Sequence, residues 1–128
     1  MSKTKRARVL VADDDPSIVR LLQVNFGLEG FEVQSATHGE DVLPRAKAFS
    51  PEVIILDLMM PGIDGWEVCR RLQQDEDTAG IPVIFLSARA QDEDRKRSRE
   101  LGAEYVAKPF DPNALIDLVR RSVRTSRA

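Results

Sequence analysis

Apolar residues along this chain gather in five short runs, and four of the runs stop at a polar group. Val9-Leu10-Val11-Ala12 runs into Asp13-Asp14-Asp15, and Val53-Ile54-Ile55-Leu56 into Asp57. Val83-Ile84-Phe85-Leu86 ends in Ser87, and Tyr105-Val106-Ala107 in Lys108-Pro109. The remaining run, Phe31-Glu32-Val33, passes into Ser35-Ala36-Thr37-His38 without such a group. Short runs rich in Val and Ile, spaced by helix-length segments, predict buried parallel strands. The intervening segments carry helix signals. Asp15-Pro16 is an N-cap followed by proline at the first helical position, and Ile18, Val19, Leu22 and Phe26 then recur at helical spacing up to Glu29-Gly30. His38-Gly39-Glu40 opens a second helix that ends at Ser50-Pro51, with Pro44 in its first two turns expected to kink or delay it. A loop, residues 58–63, leads to a third helix capped by Asp64, and residues 78–82 return the chain to the fourth strand. Asp111-Pro112 repeats the capped start, and Leu115, Ile116, Val119 and Val123 form the stripe of the last helix. Strand and helix alternate five times, which predicts an α/β fold with a doubly wound parallel sheet.

One segment departs from this pattern. Residues 91–100, Gln-Asp-Glu-Asp-Arg-Lys-Arg-Ser-Arg-Glu, contain no apolar side chain. A helix polar all round is held by side-chain pairs or is not stable. Asp92 with Lys96 and Glu93 with Arg97 stand acid-first at i, i+4, each pair contributing only about 0.2–0.5 kcal/mol. The segment is therefore expected to be a helix fastened at its ends, by Ala88 and Ala90 before it and Leu101 after it, and to be the most mobile helix.

A length of 128 residues fits a single domain spanning 1–128, with a folded core over about 8–124 and short basic tails. The formal net charge of −2 gives no electrostatic reason to expect nucleic-acid binding, and the arginines at 120, 121, 124 and 127 suit the negative end of a helix dipole. The single cysteine, Cys69, lies three residues from both Trp66 and Leu72, which reads as an inward helix face rather than a reactive thiol. The basic N-terminus precedes an apolar run of only four residues, too short for a signal-peptide core or a membrane span. A cytoplasmic protein with no membrane partner is expected.

In an open parallel α/β sheet the ligand site lies beyond the carboxyl ends of the strands. Three acids, a hydroxyl and an ammonium should therefore meet at one rim. Carboxylates held together repel unless a cation joins them, and magnesium, which takes oxygen ligands and keeps several waters, resolves this. Asp14 and Asp57 can each give an oxygen, a backbone carbonyl after Asp57 another, and Asp13 can act directly or through water. Asp57, ending a central strand beside a metal, can act as a nucleophile on phosphorus. Lys108 supplies a point charge for phosphoryl oxygens and Ser87 a hydroxyl donor.

With these pieces in place the chain resembles the receiver domain of two-component response regulators over about residues 8–124. The resemblance is carried by residues 9–15 (VLVADDD), 55–65 (ILDLMMPGIDG), 86–88 (LSA) and 105–110 (YVAKPF). It implies a five-stranded parallel sheet of order 2-1-3-4-5, flavodoxin-like, with helices on both faces. It implies that Asp57 accepts a phosphoryl group from a phosphohistidine on a sensor histidine kinase or histidine phosphotransfer protein. Asp13 and Asp14 become the acid pair, with Asp14 a direct ligand of Mg2+ and the Met59 carbonyl the backbone ligand. Ser87 and Lys108 become the phosphoryl-contacting pair, Tyr105 the switch aromatic, and the Lys108-Pro109 bond is cis. Such a protein is a phosphorylatable switch, not an enzyme beyond its own phosphorylation and dephosphorylation, and acts through the 91–124 face on a protein target as a monomer or a phosphorylation-dependent dimer. The sequence fits a stand-alone receiver and equally a piece of a longer DNA-binding or enzymatic regulator. Two positions, Met59 and Arg89, should flank the path of the hydrolytic water. The Met59 thioether cannot orient it, while Arg89 either pairs with phosphoryl oxygens or points to solvent.

Two rival classes are weighed against this. A metal-dependent aspartate hydrolase typically has a second acid two residues after the nucleophile, where this chain has Met59. A flavin module holds phosphate with a hydroxyl- and glycine-rich loop after the first strand, where this chain has three aspartates. His38, the only histidine, reads as a loop residue before a helix, and Trp66 as packing.

Overall fold

The computed structural model describes residues 6–89 and 91–127, with side chains as far as Arg124. Five strands and five helices alternate: β1 (Arg8–Ala12), α1 (Pro16–Leu28), β2 (Glu32–Ala36), α2 (Gly39–Phe49), β3 (Val53–Asp57), α3 (Gly65–Gln74), β4 (Val83–Ser87), α4 (Asp92–Glu100), β5 (Glu104–Ala107) and α5 (Pro112–Arg127). All strand pairs are parallel and their order is β2-β1-β3-β4-β5, so β3 is central. The period of two in a strand sends alternate residues to opposite faces, and here both faces are covered. Leu10, Ala12, Ile54, Leu56 and Phe85 pack under α2 and α3 with Val42, Phe49, Val68, Cys69 and Leu72. Val9, Val11, Ile55, Ile84 and Leu86 pack under α1 and α5 with Leu22, Phe26, Leu115 and Val119. This explains why β3 and β4 read as unbroken apolar runs, whereas edge strand β2 alternates.

The helix signals act locally as their chemistry requires. The Asp15 carboxylate accepts from Ser17 N–H at 2.9 Å, Asp64 from Glu67 N–H at 2.9 Å, and Asp111 from Asn113 N–H at 3.0 Å. Two expectations change. Pro44 does not delay α2, which begins at Gly39 and continues through the proline to a Ser50 cap with φ of 54°. The second strand is not the apolar run itself but Glu32–Ala36, because pairing with β1 through Val11↔Ser35 and Ala12↔Ala36 overrides the polarity of its second half.

The polar helix forms, but not by the pairs its spacing offers. Among the described residues no ion pair joins Asp92 to Lys96 or Glu93 to Arg97. Arg97 instead lies over the Trp66 ring, 4.5 Å from its centroid, and Arg95 over the Tyr105 ring at 5.1 Å. Aromatic faces attract guanidinium groups and shield their stems from water, so the bases turn inward to α3 and β5. The inward positions of α4 are Asp94 and Ser98, both buried. Ala88 is exposed and anchors nothing, Ala90 lies outside the described residues, and Leu101 does pack against the core.

Cys69 is fully buried in α3, and burial pushes its thiol up to about 11. It should stay unmodified by a thiol reagent in the native protein and react fully in denaturant, which a timed colorimetric titration reads directly.

Candidate functional site

Four strand ends deliver the polar groups to one rim. Asp13 follows β1, its N–H bonded to the Ala36 carbonyl at 3.1 Å, and its Oδ1 accepts from Asp15 N–H at 2.9 Å. Asp57 closes central strand β3, and its Oδ1 accepts from Met59 N–H at 3.1 Å. Both carboxylates are nearly buried, at 1% and 5% exposure, whereas Asp14 is exposed. Lys108, one residue past β5, reaches Asp13 Oδ2 at 3.0 Å and Asp57 Oδ2 at 3.4 Å. Its own N–H donates to the Ser87 carbonyl at 2.8 Å, and the bond to Pro109 is cis. Ser87 is fully buried one place beyond Leu86, the residue that faces Asp57 across the β3–β4 ladder.

One carboxylate oxygen each from Asp13, Asp14 and Asp57 lies within 4.8 Å of the others. Burial pushes the Asp13 carboxyl up, against the lowering effect of the Asp15 N–H and Lys108. Burial alone would lower the Lys108 ammonium, but its bonds to Asp13 and Asp57 outweigh this and the net shift is upward. One ammonium against three carboxylates, two of them buried, leaves an excess of negative charge. A hard, oxygen-seeking cation is the group such a donor set fits. Met59 is 59% exposed at the mouth of the site, with its main chain turned toward Asp57 by the N–H bond already described.

The loop carrying Met59 is braced from two sides. Gly39 N–H donates to the Pro61 carbonyl at 3.2 Å, and Gly65 N–H to the Leu58 carbonyl at 3.0 Å. The Glu40 carboxylate sits against Gly62 and accepts from Ile63 N–H at 3.4 Å, and Gly62 adopts a φ of 86° that glycine allows freely.

Arg89, half-exposed, is held at three points. Its guanidinium pairs with Asp94 Oδ1 at 3.0 Å, its N–H donates to Ser87 Oγ at 3.0 Å, and its carbonyl accepts from the Tyr105 hydroxyl. Sequence reasoning missed Asp94, since one acid among eight charged residues of α4 carries no mark of burial. His38 is exposed, its Nδ1 3.2 Å from Thr37 Oγ1. Trp66 packs on Phe85 with ring centroids 4.7 Å apart.

The chain matches the response regulator receiver domain family over residues 9–120. It belongs to that family. The receiver is 42% identical to the DNA-binding dual master transcriptional regulator RpaA of Synechocystis sp., the alignment covering 91% of this chain and 49% of that protein. It is 39% identical to the alkaline phosphatase synthesis transcriptional regulatory protein PhoP of Bacillus subtilis, over 93% of this chain and 49% of that one. The chain therefore spans about half the length of these relatives. Among solved structures, a response regulator from Chloroflexus aurantiacus superposes with a TM-score of 0.87 at 32% identity, covering 94% of this chain and 99% of the other. The sheet order agrees with the flavodoxin-like expectation. Receiver domains are phosphoacceptor switches rather than turnover enzymes, generally use Mg2+, and interact with histidine kinases and downstream targets. The hydrolase and flavin-module readings end here. Among the described residues, no helix is long and apolar enough to cross a membrane.

Proposed function

We propose that this receiver takes a phosphoryl group onto Asp57 from a phosphohistidine of a sensor histidine kinase or phosphotransfer protein. The observation that carries this reading is the convergence of Asp13, Asp14, Asp57 and Lys108 from three strand ends. In the step, an Asp57 carboxylate oxygen bonds to phosphorus, the bond from phosphorus to the imidazole nitrogen breaks, and the imidazole leaves with the electron pair. Asp13, Asp14, Asp57 and the Met59 carbonyl would hold Mg2+, which supplies charge neutralisation at the phosphoryl oxygens when bound. Lys108 then exchanges its contact with Asp57 for the new phosphoryl oxygens. The Ser87 hydroxyl, whose oxygen accepts from Arg89 N–H in this state, has its own hydrogen to donate to the same group once it re-aims toward it. The face formed by residues 91–124 carries the output, with protein targets rather than nucleic acid as direct partners, in the cytoplasm, as monomer or phosphorylation-dependent dimer.

Incubation with acetyl phosphate and magnesium tests this. One phosphoryl group should appear, on the peptide containing Asp57, and labelling elsewhere would remove the reading. Magnesium alone should change the emission of Trp66, and Asp14→Ala should abolish that change. An unaltered titration in Asp14→Ala would count against the metal assignment. The exposed Met59 thioether covers the water approach without ordering a water, so Met59→Asn should shorten the lifetime of the labelled protein in a single-turnover decay. An equal or slower decay would contradict this.

A further inference from the structure

Arg89 is tied in three directions, and the third leads to α4. Its N–H meets the buried Ser87 hydroxyl, its carbonyl meets Tyr105, and its guanidinium meets Asp94. Asp94 is the third residue of α4, and its side chain is 6% exposed. Its Oδ2 is the one buried side-chain polar atom without a partner among the described residues. A carboxylate oxygen removed from water and left unpaired is costly. The first-turn dipole of α4 favours the charge but gives that oxygen no donor. No residue of α4 is apolar, so the usual burial that fixes a helix to a sheet is missing. Beside the two arginine–aromatic contacts, two inward groups do that work. Asp94 fastens the first turn to Arg89, and the Ser98 hydroxyl fastens the last turn by donating to the Ala103 carbonyl at 2.9 Å.

We propose that the Asp94–Arg89 ion pair is the link through which α4 follows the state of Asp57, the helix pivoting about its Ser98 end. This rests on the phosphoacceptor reading above. When the Ser87 hydroxyl donates to a phosphoryl oxygen on Asp57, the oxygen that now accepts from Arg89 N–H moves or re-aims. The Arg89 backbone follows or is released, and either course shifts its guanidinium from Asp94. Asp94 is already short of one partner, so its hold on the first turn is poised to break. A ligand shifts a protein only through contacts that differ between two states, and the Ser87–Arg89–Asp94 chain is such a contact, made in this state and unmade in the other. Asp94 is thus a positioning residue. It touches no reacting atom, and it decides whether α4 senses the site.

Amide exchange read by nuclear magnetic resonance on the whole chain, with and without magnesium and beryllium fluoride as a phosphoryl analogue, tests the link. The Ser87 and Lys108 amides report occupancy of the site. In the wild type the reagent should shift those two signals and speed exchange at 94–96 by about fivefold or more, with 98–100 unchanged. In Asp94→Asn the 94–96 amides should already exchange fast and gain less than about twofold, while the Ser87 and Lys108 signals still shift. Arg89→Gln should reproduce this loss, which covers the case of an Asp94 variant that does not fold, and Arg89→Lys should restore most of the response because it returns a cation to Asp94. A full wild-type response at 94–96 in Asp94→Asn or Arg89→Gln overturns the inference, as does a wild type whose site signals shift while 94–96 stays still. If the Ser87 and Lys108 signals ignore the reagent in the wild type, the phosphoacceptor reading falls and takes this inference with it.

Discussion

Asp57→Asn should reduce acetyl phosphate labelling to background without lowering stability. The amide has the shape of the carboxylate, so its oxygen can still accept from Met59 N–H and the end of β3 is undisturbed. It lacks the anionic oxygen that bonds to phosphorus, and an amide is a very poor nucleophile. The same substitution removes one of three close carboxylates. The 3.4 Å contact of Lys108 with Asp57 is given up, but less repulsion remains among the carboxylates, and the stronger contact of Lys108, to Asp13 at 3.0 Å, is untouched. The thermal midpoint should therefore equal or exceed that of the wild type. The combination matters more than either half. Lost labelling with a preserved midpoint assigns the chemistry to Asp57, whereas labelling at the wild-type rate in a folded Asp57→Asn protein would place the acceptor elsewhere.

Gly65→Ala should damage function far more than one added methyl ordinarily does. A Cβ at Gly65 would lie 2.8 Å from the Leu58 Cα and 2.9 Å from the Asp57 carbonyl oxygen. Both are backbone atoms of the segment that carries Asp57, and neither can swing aside as a side chain could. Alanine is the better helix former by up to about 1 kcal/mol, but overpacking against rigid neighbours costs roughly 1–3 kcal/mol. The net effect should be destabilising in denaturant unfolding. Asp57 must also shift for α3 to fit, and misplacement of a reacting group by about 1 Å costs on the order of a hundredfold in rate. The labelling rate should fall at least about tenfold on that scale. Gly27 provides the control. It lies in α1 with nothing within 4 Å of its would-be Cβ, so Gly27→Ala should stabilise by about 0.5–1 kcal/mol and leave labelling unchanged. Equal behaviour of the two variants would show that the close approach of α3 to β3 has no bearing on the site.

The arrangement of α4 gives these outcomes a common setting. The other four helices cover the sheet with apolar stripes such as Leu22 and Phe26 on α1 or Leu115 and Val119 on α5. α4 has none and leans on a buried aspartate, a buried serine and two arginine–aromatic contacts. Ion pairs and cation–π contacts are each worth on the order of 1 kcal/mol, and they can be exchanged without opening a core. The sheet that carries Asp57 and the helix α4 beside it are thus held by different interactions.

Much of this was written in local patterns. The alternation of apolar runs and helix-spaced segments determined five strands and five helices, and Asp15, Asp64 and Asp111 marked helix starts that the structure reproduces to within a residue. The polar residue after each inner strand marked the rim, because a parallel sheet presents its strand ends together. Strand periodicity and capping depend on neighbours in the chain, which is why they can be read from it. What lay beyond reading depended on residues that meet only in space. β2 owes its extent to the register with β1, and Ser35 and Ala36 belong to it through that ladder. Arg97 and Arg95 chose the Trp66 and Tyr105 rings over acids one helical turn away. Asp94 is buried because Arg89, five residues earlier, was brought over it by the loop that begins at Ser87. Charged side chains carry no periodic signal of their own, and their partners are selected by desolvation and reach once the core has placed the backbone, so only the tertiary structure could decide them.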